Sequence, residues 1–167
     1  MREAGVTRYH ANLETSRRNF PNICTTHTYE DKRENIRRAQ AAGLEVCSGG
    51  ILGMGETWED RVHMAWDLAE LGVVSIPLNL LTPIPGTPLE RQPALEEEEV
   101  LRAVAIFRCL NPKAWIRMAA GRGRLSEGGQ RLFRSGANAA ITGDMLTTTG
   151  TGIAEDRAMF VRLGYQI

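Results

Sequence analysis

The feature that most restricts the fold is a repeat. Five times the chain passes through the same order: a glycine or asparagine of the kind that ends helices, an apolar strand-like run, a polar or glycine-rich loop, then an amphipathic helix. Gly5 precedes residues 6–13, Gly43 precedes 44–48, Gly72 precedes 73–81, Asn111-Pro112 precedes 115–119, and Gly136 precedes 139–142. These are helix-stop signals, placed where a left-handed backbone or a proline ends the winding. The helices also start cleanly. Thr28-Tyr29-Glu30-Asp31 and Thr57-Trp58-Glu59-Asp60 each offer a hydroxyl cap with an acid three residues on, Asp standing in for the usual Glu or Gln. The carboxylates of residues 96–99 open a third helix, where they meet the positive end of the dipole and are expected to face solvent.

Strands alternating with helices argue for a parallel sheet with right-handed crossovers. A closed barrel takes eight such units and about 250 residues. This chain has 167 residues. The expected fold class is therefore α/β: a partial (β/α) TIM-type barrel of about five carboxyl-terminal βα units, forming one domain over residues 1–167. Three units are then expected to be missing from the front. An open five-strand sheet is the alternative that periodicity leaves standing.

Composition narrows the partners. Twenty basic and twenty acidic side chains cancel, so no global field draws the chain to nucleic acid or an anionic membrane. The most apolar stretch, residues 73–84, is interrupted by Ser75, Pro77, Asn79 and Pro83, and the first residues form no signal peptide, which predicts a cytoplasmic chain. Cys24, Cys47 and Cys109 are odd in number and widely spaced. They form neither a disulfide framework nor a self-sufficient zinc site.

Side-chain parity carries the chemistry. Successive strand residues face opposite sides. Tyr9, Ala11 and Leu13 oppose Arg8, His10, Asn12 and Glu14; Leu44 and Val46 oppose Glu45 and Cys47; Ile76, Leu78 and Leu80 oppose Ser75, Pro77, Asn79 and Leu81; Ile116 and Met118 oppose Trp115, Arg117 and Ala119. If the apolar sets pack on helices, Asn12, Cys47, Asn79 and Arg117 point into one interior, where aliphatic side chains are the norm. A buried guanidinium there needs an anion, supplied either by Glu45 or Glu14 or by a ligand. The glycines at 49, 50, 53 and 55, just after Cys47, have two readings: a cofactor close to the main chain, or a tight strand-to-helix turn.

Several stretches resemble a known family: residues 9–16 (Tyr-His-Ala-Asn-Leu-Glu-Thr-Ser), 25–29 (Thr-Thr-His-Thr-Tyr), 46–51 (Val-Cys-Ser-Gly-Gly-Ile), 77–79, 86–89 (Gly-Thr-Pro-Leu), 116–122 (Ile-Arg-Met-Ala-Ala-Gly-Arg) and 136–138. In this order they are similar to the carboxyl-terminal half of the biotin synthase family of radical S-adenosylmethionine enzymes. The resemblance implies a barrel holding a 4Fe-4S cluster with S-adenosylmethionine and a deeper 2Fe-2S cluster that gives up sulfur to dethiobiotin. It matches Cys47 to a thiolate ligand and Arg117 to an arginine ligand of the 2Fe-2S cluster. Asn12, Glu14 and Ile51 match contacts to S-adenosylmethionine, and Asn12 is also placed at the substrate. Asn79 matches a contact to dethiobiotin, while Thr148 and Thr149 resemble the pair that holds its carboxylate. A homodimer and an electron-donor protein are the partners implied for the whole enzyme.

The sequence departs from that pattern in one large respect. No Cys-x-x-x-Cys-x-x-Cys occurs, so the 4Fe-4S ligands are not on this chain, and the fragment alone is expected to be inactive. Two other readings stand beside this one: another radical enzyme of maturase or mutase type, and a non-catalytic half-barrel that pairs with a partner chain. Cys24 and Cys109 match no ligand position. His63 is expected on a helix surface, Trp58 and Trp66 against the sheet, and Trp115 inside the barrel.

Overall fold

The computed structural model describes residues 2–144 and 150–166. Six strands form one parallel sheet: β1 (Arg8–His10), β2 (Glu45–Cys47), β3 (Gly50–Leu52), β4 (Ser75–Leu80), β5 (Trp115–Met118) and β6 (Ala139–Ala140). They are ordered β1-β2-β4-β5-β6, with β3 also on β4. The helices are α1 (Phe20–Ile23), α2 (Tyr29–Ala41), α3 (Trp58–Glu70), α4 (Glu97–Leu110), α5 (Leu132–Ser135) and α6 (Ile153–Arg162). All strand pairs are parallel, giving an α/β sheet that makes up part of a barrel. The five expected strands are present but shorter than the apolar runs that announce them.

Both hydroxyl caps form. Thr28 Oγ1 accepts from the Asp31 N–H and Thr57 Oγ1 from the Asp60 N–H, while each Asp carboxylate accepts from the N–H of its threonine. Asn111 ends α4: its side-chain amide donates to the Ala65 and Phe107 carbonyls at 2.9 and 3.2 Å. The acidic run that opens α4 is less solvated than its composition suggests. Glu97 accepts from the Ser126 N–H at 2.9 Å, and Glu99 pairs with the buried Arg61 at 2.7 Å.

Parity sorts the sheet. Val46, Ile76, Leu78, Leu80, Ile116 and Met118 are buried and join the core with Ile36, Met64, Leu68, Val100, Val104 and Phe107 of the helices. Each such side chain contributes about 1.5–3 kcal/mol of burial, an upper bound against an extended reference chain. On the other face His10 and Trp115 are exposed and Cys47, Asn79 and Arg117 half-buried, so this face is free of helices. Trp58 and Trp66 do not pack on the sheet, being 39% and 61% exposed. The inward positions of α3 are held instead by Arg61, Met64, Ala65 and Leu68. Arg61 crosses the core boundary because Glu56 and Glu99 neutralise it, and its guanidinium lies over the Trp58 ring at 4.7 Å.

The glycine-rich segment is a strand with a fault in it. Cys47 pairs with Ser75 and Gly50 with Leu78, the same offset, so β2 and β3 are one strand interrupted at Ser48-Gly49. Leu81 N–H donates to Leu52 O. Two steps of that ladder back, the donor to Ser48 O would be Pro77, which has no N–H to give. The chain closes in at the fault. A Cβ at Gly49 would sit 1.9 Å from the Pro77 carbonyl oxygen, and one at Gly50 would sit 2.5 Å from Glu14 O and 2.6 Å from Met64 Sδ. Gly53 and Gly55 have φ of +99° and +87°, a region that favours glycine. The protein's own backbone thus explains all four glycines, and the cofactor reading is not needed for them.

Replacing Gly49 by Ala should lower the unfolding free energy by about 3 kcal/mol. Gly123→Ala is the control, since a Cβ there meets only Thr151 Cγ2 at 3.5 Å. Urea denaturation followed by circular dichroism makes the comparison; equal midpoints would remove the Gly49–Pro77 contact as a constraint.

A second expectation concerns pH. Burial raises the Asp60 carboxyl, but hydrogen bonds from Arg18, Ser16 and Thr57 outweigh it and hold the group well below the usual range. Because the folded value lies below the unfolded one of about 3.9, the stabilisation is whole above that pH and drains away as pH falls toward the folded value. Asp60→Asn should therefore cost about 2 kcal/mol at pH 7 and progressively less below pH 4. A pH series of denaturation curves checks it.

Candidate active site

The helix-free face is arranged in rows across the strands. His10, Cys47, Ser75 and Trp115 share one row by register. Asn12, Gly49, Pro77, Arg117 and Ala139 form the next toward the carboxyl ends, Asn12 being tied in by its Oδ1, which accepts from the Gly49 N–H at 3.0 Å. Ile51 and Asn79 pair one row further. The sheet thus brings Asn12, Cys47, Ile51, Asn79 and Arg117 onto three successive levels of one face. Strand geometry puts the Cα atoms of Cys47 and Arg117 about 12 Å apart on a flat sheet.

Arg117 is the unusual group. It is half-buried, its Nε has no hydrogen-bond partner, and among the described residues no carboxylate pairs with it. The two acids considered as internal partners do not serve: Glu45 pairs with Arg8 at 2.7 Å, and Glu14 makes no ion pair among the described residues. Arg108, also half-buried, has no carboxylate among the described residues but donates to the Gly136, Asn111, Pro112 and Ala114 carbonyls, and the buried arginines all have carboxylates. Arg33 holds Asp67 and Glu70, Arg61 holds Glu56 and Glu99, and Arg122 holds Asp156. Asp156 is raised by burial but lowered overall by Arg122, Thr151 and Thr142.

Cys47 is a free, half-buried thiol, and the Ser75 hydroxyl donates to its sulfur at 3.3 Å. Ser75 is 2% exposed. Parity placed it on this face, but nothing in the sequence marked it as a neighbour of the thiol. Asn79 is fixed at both ends of its amide, donating to Gly50 O and accepting from Ala120 N–H, each at 3.2 Å. One N–H and one lone pair remain for a ligand.

Glu14 ends the alternation that placed it beside Asn12. Ala11 N–H donates to Cys47 O, yet it is Glu14 N–H, three residues on, that reaches Gly49 O. Three residues there oppose two, a β-bulge. Glu14 lies at its end with φ of 71°. Its half-buried carboxylate has no hydrogen-bond partner among the described residues. Thr148 and Thr149 lie outside the described residues.

The donor set fits an iron–sulfur group in part. A thiol that accepts a hydroxyl hydrogen bond and a guanidinium without its own anion suit one side of an anionic 2Fe-2S cluster. Among the described residues, no three His, Cys, Asp or Glu side chains gather into a metal site. The chain carries no cysteine triad for a 4Fe-4S cluster. No described helix is long and apolar enough to cross a membrane.

The Radical SAM superfamily profile matches residues 1–68, and that of the Biotin and Thiamin Synthesis associated domain matches residues 77–166. A biotin synthase of Clostridium beijerinckii is 60% identical over the whole chain and one of Akkermansia muciniphila 59%, the chain covering 53% and 52% of their lengths. The chain thus spans about half the length of the curated relatives it matches. Methylornithine synthase superposes with a TM-score of 0.78 at 18% identity, over 99% of this chain and 53% of that one. The FeFe-hydrogenase maturase of Carboxydothermus hydrogenoformans gives 0.74 at 14%, over 98% and 43%. At such identities these two likenesses carry the fold alone. The profile match over more than half of its residues, supported by similarity to biotin synthases along the whole of this chain, makes the chain a member of the Biotin and Thiamin Synthesis associated domain family.

Proposed function

We infer that the chain supplies the carboxyl-terminal half of a biotin synthase, the cytoplasmic radical S-adenosylmethionine enzyme that inserts sulfur into dethiobiotin to form biotin. The observation that carries this reading is Arg117, a half-buried guanidinium without a carboxylate among the described residues, set one row above a free thiol. A guanidinium in that state is stabilised when an anion completes it. When bound, a 2Fe-2S cluster would supply both the negative charge and the sulfur atom. Cys47 would hold it as thiolate, with Ser75 donating to the sulfur, and Arg117 would face it as ligand or counter-cation.

The rows above would hold the organic partners. Asn12, Glu14 and Ile51 are assigned to S-adenosylmethionine: two polar side chains for its hydrogen-bonding groups and an aliphatic contact for a flat ring. Asn79 is assigned to dethiobiotin, its remaining N–H and lone pair suiting a ureido group that both donates and accepts. Thr148 and Thr149 are assigned to the substrate carboxylate and Asn12 also to the substrate. The residues on this chain bind, orient and exclude water. Generating a radical needs the 4Fe-4S ligands that this sequence lacks. In the whole protein the same reading implies a homodimer and an electron-donor protein. The domain assignment that goes with it is a single partial barrel over residues 1–167.

Reconstituted alone with iron and sulfide, the chain should show no 4Fe-4S spectrum and no cleavage of S-adenosylmethionine; robust cleavage would mean a cluster site elsewhere. In a full-length version, Cys47→Ala should remove the 2Fe-2S absorbance and biotin formation while adenosyl cleavage stays measurable. Retention of that absorbance would take Cys47 out of its assigned role.

A further inference from the structure

The loop between α1 and α2 leaves the carboxyl-terminal side of β1 and holds a group of side chains that the proposed reaction does not use. Cys24 Sγ lies 3.4 Å from His27 Nδ1, 3.8 Å from His27 Nε2 and 3.4 Å from the Thr26 hydroxyl. The Thr26 hydroxyl is itself 3.0 Å from His27 Nδ1. The ring is held edge-on to Phe20, with centroids 5.6 Å apart. The Asp31 carboxylate, in the first turn of α2, is occupied by the cap and accepts from the Thr28 N–H at 2.8 Å. Thiol, hydroxyl and imidazole thus converge, a nucleophile with its base beside it.

We propose that Cys24 is a nucleophilic thiol, activated by His27 and Thr26, and a site of mixed-disulfide formation with low-molecular-weight disulfides such as oxidised glutathione. The step balances. Cys24 sulfur, having given its proton to His27, attacks one sulfur of the disulfide; a new S–S bond forms, the old one breaks, and the departing thiolate takes the proton back. Cys24 is oxidised and the released half of the disulfide is reduced to a thiol.

Several charges and dipoles act on the sulfur in the same direction. The Thr26 hydroxyl hydrogen bond is the largest influence, the backbone N–H groups of Thr26 and His27 add to it, and the Lys32 ammonium of α2 acts from further off. Together they outweigh burial, which opposes the anion, and hold the thiol below its ordinary value. A sulfur ringed by donors is stabilised as thiolate, the reactive form. Cys24 is half-buried whereas Cys109 is exposed. Accessibility alone would therefore make Cys109 the faster thiol, and activation reverses that order.

The test is independent of the biotin synthase reading, because it needs only the folded 167-residue chain. Limiting iodoacetamide is added across pH 6 to 9, and peptide mass spectrometry separates Cys24, Cys47 and Cys109. Cys24 should alkylate about tenfold faster than Cys109 at pH 7, with a rate midpoint below the ordinary thiol value of about 8.5. His27→Ala should slow Cys24 severalfold at pH 7 and move the midpoint up, with Thr26→Val doing so to a smaller degree and the rate at Cys109 unchanged. Oxidised glutathione should place a dithiothreitol-reversible adduct on Cys24. Equal rates at Cys24 and Cys109, or a His27→Ala chain whose Cys24 reacts as before, would overturn the proposal.

Discussion

The contact between Gly49 and the Pro77 carbonyl sets the geometry of the middle of the sheet. Pro77 sits in a strand with partners on both sides, a place where proline removes a ladder hydrogen bond. The bond it removes is the one Ser48 O would accept from β4, and there the strand continuing from β2 into β3 breaks its regular pairing without changing its offset. Only a residue without a Cβ fits against the carbonyl at that point. The consequences reach both faces. Gly50 brings the same segment against Met64 of α3 on the helix side, and Gly49 N–H turns to Asn12 Oδ1 on the open side. The fault therefore locks the end of the first strand, the middle of the second and the body of the third into one unit, with Cys47 at its lower end.

Arginine is the residue that separates scaffold from site in this molecule. Arg33, Arg61 and Arg122 are 2–4% exposed and each is neutralised by carboxylates, so their charges tie helices and loops together. Removing one partner from such a pair leaves an uncompensated buried charge, which is why pairs of this kind act as fixed points. Arg117 has the same chemistry but no carboxylate among the described residues, and it stands on the helix-free face. Half-buried Arg108 also lacks a carboxylate among the described residues, but the Gly136, Asn111, Pro112 and Ala114 carbonyls accept from it, whereas Arg117 has no such partner and so is available to something else. Fold likeness adds nothing to that argument, since the same sheet serves enzymes of different chemistry.

How much of this was legible in the sequence depends on the range of the interaction. Caps are local, and Thr28 and Thr57 with their aspartates form as their spacing indicates. Alternation is also local, and it sorts Ile76, Leu78, Leu80, Ile116 and Met118 from Cys47, Asn79 and Arg117 correctly. Features set by distant partners were not legible. The need for Gly49 comes from Pro77 on the neighbouring strand, and that for Gly50 from Glu14 and Met64. Glu14 follows a one-residue bulge, which leaves no mark on an alternating pattern yet ends the parity that placed it beside Asn12. Trp58 and Trp66, expected against the sheet, stay exposed, whereas the inward stripe of α3 includes Arg61, made tolerable there by Glu56 and Glu99.

The order of the rows along the strands bears on how such a face would be filled. Cys47 and Ser75 occupy the deepest of the three levels, Arg117 and Asn12 the next, and Ile51 and Asn79 the one nearest the carboxyl ends. In barrels of this type the ligand enters from the carboxyl ends of the strands. A group that stays in place belongs on the two deeper levels, where the sheet supplies a thiol and a charge. A molecule that must come and go belongs near the mouth, where Asn79 still has one donor and one acceptor free. Backbone contacts fix that amide on both sides, so its free edge is oriented before any ligand arrives, and little side-chain entropy is left for binding to remove. Polar groups held in this way define a preferred direction of approach, and parallel strands of matched register are what keep the three levels in sequence.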